Sequence, residues 1–505
     1  MNITKTIGVW AAVVLGLILT GCDRGASNQS TGEKTDSYKI QESRLGPFSH
    51  VSRLPVRLSK DSCHLAYVTS KDQRECLVVD GEIGSDYDMV SLGSAIFSPD
   101  GKHGAYSAQN GRKWLLVVDG KERAKYDDIG EGFPIFSPDS KHMAYSAKNG
   151  KKWSMVVDRK SGAEYDDIGE GGSAIFSPDG KRLAYVAVKG EKKLVVVDGK
   201  VGAEFDGIGE GSMRFSPDSK RVAYAANQGQ KWLVVIDGQA SGEYDTNRMV
   251  FPVFSPNSKH VAYAAKNAQK WWLVLDGKLI AERNGIGNLL FSPSSGEVAY
   301  VAYDGQKWSL VVDGKVSAGF DKIGESSPVF SRDGKRVAYV AYDGQKWLVV
   351  VDGQVSGGFD AIGKGSPIFS PDGRRVAYAA NHGQKWLVVL DGEEGPEYDG
   401  IGDLLFSPDG KRMAYEAKKA GKWSVVVDGQ LGAEYEGTGN LLFSADGKQF
   451  AYKAQIGGKN VLVMEGKAGA EYDAIAGAIF TADGDLECLV TKGDSLYRIK
   501  YMLMR

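Results

Sequence analysis

The chain has 505 residues, of which 42% are hydrophobic, and its formal net charge is −2. A nucleic-acid-binding protein would show a basic patch, and here Lys and Arg are spread along the whole chain. Four Cys are too few for a disulfide scaffold. Once Cys22 is set aside, three remain, Cys63, Cys76 and Cys488, and an odd number cannot all be paired within the chain. These features favour a globular all-β protein that does not bind nucleic acid.

The first 22 residues predict an export signal. Lys5 precedes an apolar run from Ile7 to Leu19, which ends in Leu-Thr-Gly-Cys22. This ending resembles a bacterial lipobox, which implies that the Cys22 thiol is lipidated and becomes the mature N-terminus. The alternative is an uncleaved anchor. Both predict an exported, membrane-anchored protein. Asp23 suggests the periplasmic side of the inner membrane, and the outer membrane is the alternative.

Residues 23–39 predict a flexible tether, because they are rich in Ser, Thr, Gly, Asn, Gln and Lys and show no apolar period. The remaining chain predicts one structural unit repeated twelve times at intervals of 37 to 40 residues. Such a period indicates an array of identical supersecondary units. The units begin at Leu58, Phe97, Phe136, Phe176, Phe215, Phe254, Phe291, Phe330, Phe369, Phe406, Phe443 and Phe480.

Each unit predicts four short strands, which we name a to d. Strand a is the apolar run that ends at the unit start, and the Ser-Pro-Asp-Gly that follows is typical of a tight turn. In the unit that starts at Phe330, strand b covers 336–341 and strand c covers 347–351. Asp352-Gly353 then predicts a hairpin into strand d, which carries Phe359. Four-stranded units of about 40 residues are typical of β-propeller blades.

The motif F-S-P-D-G-K-R-x-A-Y, followed by an apolar strand and Asp-Gly, resembles the propeller repeat of the TolB family, a relative of WD-repeat blades. The resemblance extends from about Phe48 to the C-terminus and implies a propeller fold. A TolB function is not expected, because the chain has no room for the family's separate N-terminal domain. The departures from the motif are Asn257 and Ser294 at the turn, Arg283 in strand d, and Glu75, Lys193 and Asn460 at the Trp position of strand c.

The sequence predicts that a strand near the N-terminus closes the propeller ring by completing its last blade. Phe48–Leu58 matches strand d and the crossover, and the chain ends after a strand c that contains Tyr497. Propellers typically have 4–8 blades, so we expect two six-bladed rings in tandem, residues 40–290 and 291–505, with the first strand paired to 271–275. The alternative is one twelve-bladed ring, with that strand paired to 497–501.

Most repeated polar or aromatic residues have a structural explanation. The Trp of strand c, as in Trp347, alternates with apolar residues, so packing between blades is favoured over a sugar-stacking surface. The turn Asp residues need no metal to explain them. His64, His103, His142 and His260 replace the Arg found at this position of strand b in other units, so we expect them to substitute for a cation.

No catalytic, cofactor-binding or metal-binding residue is expected. Gly493-Asp494-Ser495-Leu496 spells a hydrolase motif, but the repeat places it in a hairpin with no partner His, so we interpret it as coincidence. The nucleophile elbow G-x-S-x-G does not occur in the sequence.

The loops between strands d and a vary between units, whereas the a–b turns do not. A rigid scaffold with variable loops is the usual layout of a binding site. We therefore predict a non-catalytic scaffold that binds a protein or peptide at the cell envelope. The alternatives are an enzyme that acts on a glycan or small ester in the propeller channel, and a purely structural envelope protein. The candidate binding residues are Glu131, Glu170, Glu210, Arg248 and Lys364.

Overall fold

The computed structural model describes residues 34–35, 38–47, 51–60, 64–131, 134–169, 174–245, 249–294, 296–325 and 327–503. Within these ranges the regular structure is entirely β, and the strands form twelve blades arranged in a ring, consistent with a twelve-bladed β-propeller. The predicted fold class and the predicted number of blades are confirmed. In the same ranges no helix is long and apolar enough to cross a membrane.

The blades follow the order a-b-c-d along the chain, and strand a of several blades is described in two segments. Blade 1 consists of Val51–Leu58, Leu65–Lys71, Arg74–Val79 and Glu82–Ile83, and blade 2 of Met89–Phe97, Gly104–Asn110, Lys113–Val118 and Lys121–Tyr126. Blade 3 consists of Asp128–Ile129 with Ile135–Phe136, Met143–Asn149, Lys152–Val157 and Lys160–Tyr165. Blade 4 consists of Asp167–Ile168 with Ala174–Phe176, Leu183–Lys189, Lys192–Val197 and Lys200–Phe205.

Blade 5 consists of Gly207–Ile208 with Arg214–Phe215, Val222–Gln228, Lys231–Ile236 and Gln239–Tyr244. Blade 6 consists of Met249–Phe254, Val261–Asn267, Lys270–Leu275 and Lys278–Arg283, and blade 7 of Gly285–Phe291, Val298–Tyr303, Trp308–Val312 and Lys315–Val316. Blade 8 consists of Lys322–Ile323 with Val329–Phe330, Val337–Tyr342, Trp347–Val351 and Gln354–Phe359.

Blade 9 consists of Ala361–Ile362 with Ile368–Phe369, Val376–His382, Lys385–Leu390 and Glu393–Glu394. Blade 10 consists of Gly400–Phe406, Met413–Lys419, Lys422–Val427 and Gln430–Leu431, and blade 11 of Gly437–Phe443, Phe450–Ile456, Lys459–Met464 and Lys467–Tyr472. Blade 12 consists of Ala474–Phe480, Leu486–Lys492 and Ser495–Leu503, with Tyr38–Pro47 as its strand d and Lys34–Thr35 paired outside that strand.

The a–b and c–d turns that the structure describes form as the sequence predicts, as blade 8 shows. In blade 8 the hydroxyl of Ser331 donates to Oδ1 of Asp333 at 2.6 Å, and the N–H of Gly334 donates to the Ser331 carbonyl at 2.8 Å. At the c–d hairpin, Asp352 and Gly353 have φ of 52° and 82°. Both lie in the left-handed region that a two-residue hairpin of this type requires.

The core lies between neighbouring blades rather than within one blade. Val349 and Val350 are consecutive in strand c and both are fully buried, so the sheet is covered on both faces, as predicted. The ring of Phe359, in strand d, packs edge-on against Tyr378, in strand b of the next blade, with centroids 5.9 Å apart. Equivalent aromatic pairs recur at most of the blade junctions in the described residues.

The strand that completes blade 12 differs from the predicted one. Tyr38–Pro47 pairs with Ser495–Leu503, and Val51–Leu58 forms strand a of blade 1. The closing strand therefore begins inside the predicted tether, and Phe48, the residue chosen for strand d, lies outside the described residues. The strand at 271–275, the partner expected for two rings, pairs with strands b and d of its own blade. The partner strand, Ser495–Leu503, contains the 497–501 segment expected for the single-ring alternative, whereas the strand that pairs with it is not the predicted one.

Packing across two junctions agrees with this pairing. Blade 6 contacts blade 7 through a shared cluster that includes Ala264 and Leu289. Blade 12 contacts blade 1 through a cluster that includes Leu489, Leu496 and Tyr67. The ring therefore continues through the middle of the chain and closes between its two ends.

Candidate binding site

The a–b and c–d turns lie together at one end of the blades, which we name the turn face. Here a cation on strand b binds the Asp of the c–d turn, as in Arg336 Nε to Asp352 Oδ2 at 2.7 Å. His64, His103, His142 and His260 occupy the same position, and their Nδ1 atoms lie 2.5 to 2.9 Å from the equivalent Asp. The predicted replacement of Arg by His is therefore observed.

The Arg side chains also connect neighbouring blades. Nη1 of Arg336 donates to the carbonyl of Arg374 in blade 9 at 2.6 Å, and its guanidinium lies 5.2 Å from the ring of Phe369. Arg182, Arg221, Arg375 and Arg412 make the equivalent contacts in their blades. The turn face is thus held by the same interactions around much of the ring.

The opposite end of the blades has its own repeated connection. Lys113 Nζ lies 2.6 Å from Asp127 Oδ1, and Oδ2 of Asp127 accepts the N–H of Gly150, in the b–c loop of the next blade, at 2.7 Å. The hydrogen bond from Lys113 lowers the pKa of Asp127. These Asp residues are structural, and the described residues contain no group of three or more His, Cys, Asp or Glu side chains that could hold a metal ion.

The Trp residues of strand c are half-buried, rather than enclosed between blades as predicted. Trp153 packs against the core and is covered by the ammonium group of Lys148 at 5.5 Å. Trp308 packs against Tyr303, with ring centroids 4.9 Å apart. The Trp residues lie at the end of strand c next to the b–c loop, where the blades spread apart, so their outer edges remain in contact with solvent.

The segments predicted as d–a loops lie within strand a. In blade 3, Asp128–Ile129 pairs with the end of strand b and Ile135–Phe136 pairs with its beginning. The residues between them interrupt the same strand. In blade 10 the register of strand a likewise shifts between Ile401 and Leu404. We name these interruptions the inner bulges, and the prediction that they belong to one end of the blades is wrong.

Strand a is the innermost strand of each blade. Strands a of neighbouring blades contact one another, as Met249–Phe254 contacts Gly285–Phe291, because the blades converge toward the centre of the ring. Exposed side chains on the inner bulges therefore line the central channel. One link between adjacent bulges is the side-chain amide of Asn288, which donates to the carbonyls of Glu325 and Ser327 at 2.6 and 2.7 Å.

Glu131, Glu210 and Lys364 are exposed on the inner bulges of blades 3, 5 and 9. They share the channel wall, but non-adjacent blades carry them, so they do not form one cluster. Glu170 and Arg248 lie outside the described residues. Glu325 and Asp403 are also exposed on inner bulges and were not predicted. With Glu131 and Glu210 they give the described bulges four exposed acidic side chains, whereas the exposed basic side chains are Lys364, on a bulge, and Arg214, directly after the bulge of blade 5.

Sequence reasoning also missed Glu416, in strand b of blade 10. The side chain is only 7% exposed, and its Oε2 accepts the N–H of Asp403 at 3.1 Å. Its Oε1 is buried and interacts with the buried hydroxyl of Thr438, in the next blade. Burial raises the pKa of Glu416. A buried carboxyl group is therefore placed directly behind the channel wall at Asp403.

A comparison of repeat positions would have found Glu416. It lies ten residues past its unit start, and the next unit has Lys453 at this position. The first nine units carry only small or apolar residues there: Val68, Ser107, Ser146, Val186, Ala225, Ala264, Val301, Val340 and Ala379. The charged pair thus marks blades 10 and 11 as the place where the repeat departs from its pattern.

Ser495, of the hydrolase-like motif, lies at the b–c hairpin of blade 12. Its hydroxyl accepts hydrogen bonds from Nε and Nη2 of Arg44 at 3.2 and 3.0 Å. An activated serine donates its hydroxyl proton to a base, whereas this hydroxyl faces a cation. The geometry supports a structural role for Ser495 at the closing strand.

No family model matches the chain, and no curated protein matches it. Similar solved structures include the β-propeller domain of the Trilobed protease from Pyrococcus furiosus (16% identity, 54% of this chain and 96% of that chain, TM-score 0.26). They also include TolB from Acinetobacter baumannii (12%, 57% and 78%, 0.23) and the GH74 enzyme from Niastella koreensis (10%, 92% and 96%, 0.25). These similarities concern the fold alone. They neither assign nor exclude catalysis.

Proposed function

We propose that the protein is a lipid-anchored, exported scaffold that binds a basic peptide or protein segment of the cell envelope in its central channel, without catalysis. The observation that carries this proposal is the contrast between framework and channel wall. The turn face repeats the same ion pairs from blade to blade, whereas the inner bulges differ in length and charge. A rigid frame that presents variable segments is the usual arrangement of a binding site.

The charges of the channel wall indicate the chemistry of the partner. The described bulges expose more acidic than basic side chains, and these acidic groups face the same enclosed space. Clefts lined with one sign of charge concentrate ligands of the opposite sign and accelerate their association. A segment rich in Lys or Arg therefore fits the channel better than a neutral or acidic one.

The first test measures binding of a fluorescent ten-residue oligolysine to the full chain, with an oligoglutamate of equal length as the comparison. A triple variant, Glu131→Lys, Glu210→Lys and Glu325→Lys, should lose most of the oligolysine binding. The matched control reverses Glu164, Glu204 and Glu243, three exposed residues of the outer strands d. It changes the net charge equally and should retain binding.

Equal loss in both variants would show that oligolysine responds only to net charge, and the channel site would then be wrong. The second test cross-links the protein in envelope membranes. A partner captured by the wild type and by the outer control, but lost in the inner-bulge variant, supports the proposal.

The anchor is tested separately. Cys22→Ser should abolish labelling with a radioactive fatty acid and move the protein from the detergent phase to the aqueous phase. Persistent labelling of this variant would contradict lipidation at Cys22.

A catalytic channel is the second candidate function, and Glu416 is the observation that favours it. Carboxyl groups with raised pKa values are common at active sites. However, both oxygens of Glu416 lie behind strand a, and one is engaged by the backbone of Asp403. Hydrolysis of a glycan or ester that disappears in Glu416→Gln would support this alternative.

A further inference from the structure

Exposed aliphatic side chains recur at one position of the repeat. Nine large hydrophobic side chains are exposed in the described residues, and six of them are the second residue of a strand d. Their exposed fractions range from 50% to 65%. We name this set the aliphatic rim: Ile83, Val201, Leu279, Val316, Val355 and Leu431.

The aliphatic rim lies at the outer edge of the turn face. Strand d is the outer strand of each blade, and its second residue lies two positions after the Gly of the Asp-Gly turn. Exposed Lys residues precede three of the six, as Lys315 precedes Val316. The a–b turns of the same face add long cationic side chains, from Lys102, which is 64% exposed, to Arg374, which is 86% exposed.

The distribution around the ring indicates the shape of the partner. The aliphatic rim includes blades 1, 4, 6, 7, 8 and 10, so its members are distributed around the turn face rather than clustered on a few neighbouring blades. A single bound peptide could reach only a few neighbouring blades. A flat surface can contact all six positions at once, and a bilayer is such a surface.

The beginning of the described chain lies at the same face. Tyr38, the first residue of the closing strand, pairs with Leu503 at the c–d end of strand c. Residues 23–33 separate Cys22 from Lys34, the first described residue. Even fully extended, these residues span at most about 40 Å. A lipid on Cys22 would therefore keep the ring close to the membrane, and the closing strand begins at the turn face.

We propose that the aliphatic rim rests on the bilayer surface and directs the b–c loops toward the aqueous side. Its aliphatic side chains would enter the interfacial region, where burial of apolar area is favourable, and the nearby Lys and Arg would contact lipid phosphates. This proposal rests on the lipid anchor of the proposed function. It does not depend on which partner occupies the channel.

The test uses the lipidated full chain in vesicles of phosphatidylethanolamine and phosphatidylglycerol at 3:1. An environment-sensitive fluorophore is attached to Cys at position 355, in a Cys63→Ser background that leaves Cys76 and Cys488 buried. The comparison carries the fluorophore at position 456, because Ile456 is an exposed aliphatic residue at the opposite end of the blades. Brominated lipids should quench the first label at least about fivefold more than the second, because bromine quenches only at contact distance.

A triple variant, Leu279→Ser, Val316→Ser and Leu431→Ser, should remove most of the quenching at position 355, while Ile456→Ser should not. Equal quenching of both labels, or quenching of neither, would overturn the proposed orientation. A label at 355 that responds to a soluble envelope protein but not to brominated lipid would show that the aliphatic rim binds protein, and would also overturn it. Oligolysine binding measured in detergent separates this result from the channel proposal.

Discussion

Arg498 and Asp80 face each other across the junction that closes the ring, with Nη2 3.8 Å from Oδ2. The same Asp80 oxygen lies 2.5 Å from Nδ1 of His64 in its own blade. In the part of the chain that the structure describes, the equivalent residues Asp352, Asp391 and Asp428 form ion pairs only with the Arg of their own blade. The closing junction therefore uses a repeated turn residue for an additional contact with blade 12.

The first prediction concerns Gly81, which follows Asp80. It has φ of +84°, and a Cβ there would lie 2.0 Å from the carbonyl oxygen of Leu45, in the closing strand. Gly81→Ala should lower the free energy of unfolding by about 2–4 kcal/mol, measured by denaturant titration, because the clash involves backbone atoms. Gly120→Ala is the control: Gly120 has φ of +70° at the same turn of blade 2 and no neighbour within 4 Å. Equal losses would mean that the closing strand does not pack against Gly81.

The second prediction concerns the connection between blades on the turn face. Arg336→Ala should cost about 1–2 kcal/mol, because it removes charge-assisted hydrogen bonds to Asp352 and to the carbonyl of Arg374 at a partly exposed site. Arg374→Ala should have almost no effect, since Arg374 is 86% exposed and lies 3.9 Å from Asp372. Thermal unfolding of both variants checks the difference. A larger loss for Arg374→Ala would contradict the assignment of the connection to Arg336.

The third prediction uses the raised pKa of Glu416. The folded state binds this proton more tightly than the unfolded state. The contribution of Glu416 to stability is therefore full below the unfolded pKa, about 4.3, and is lost as pH rises through the folded pKa. Glu416→Gln, which cannot ionise, should gain stability relative to the wild type as pH increases from 4 to 8. Melting temperatures across this range provide the measurement, and a constant difference would show that Glu416 does not titrate in this way.

The fourth prediction concerns Trp347. Because the ring is half-buried and packs beside Tyr342, with centroids 5.2 Å apart, Trp347→Ala should cost about 2 kcal/mol. This is below the 3–5 kcal/mol typical of a fully buried Trp. Native Trp fluorescence should be partly quenched by acrylamide. A spectrum that resists quenching completely would mean that the Trp residues are enclosed between the blades.

The sequence predicted the blades well because their determinants are local. The Ser-Pro-Asp-Gly turn, the Asp-Gly hairpin and the apolar strand c recur with fixed spacing, and each depends on residues within a few positions of one another. The closing strand depends instead on a distant partner. Arg44 lies opposite Tyr497, at a position where most other blades have an aromatic residue in strand d, so Phe48 was the more similar but incorrect choice.

The channel wall was only partly predictable. The variable segments, including Glu131 and Lys364, were recognised by their changes in length. Their position within strand a was not, because a bulge and a loop give the same sequence signal when register is unknown. Glu416 was visible as a departure from the repeat, but its raised pKa depends on burial between two blades, which the sequence alone does not provide.

The pairing of Tyr38–Pro47 with Ser495–Leu503 also determines the order in which the molecule can mature. Ribosomes make the closing strand first and its partner last, so blade 12 stays incomplete until almost the whole chain has been made. Until then the closing strand exposes unpaired backbone groups, which are prone to pair with other chains. Contacts between such distant segments form slowly. If the protein is exported as we propose, this delay keeps the ring open while the chain crosses the membrane, and closure follows translocation of the C-terminal strands.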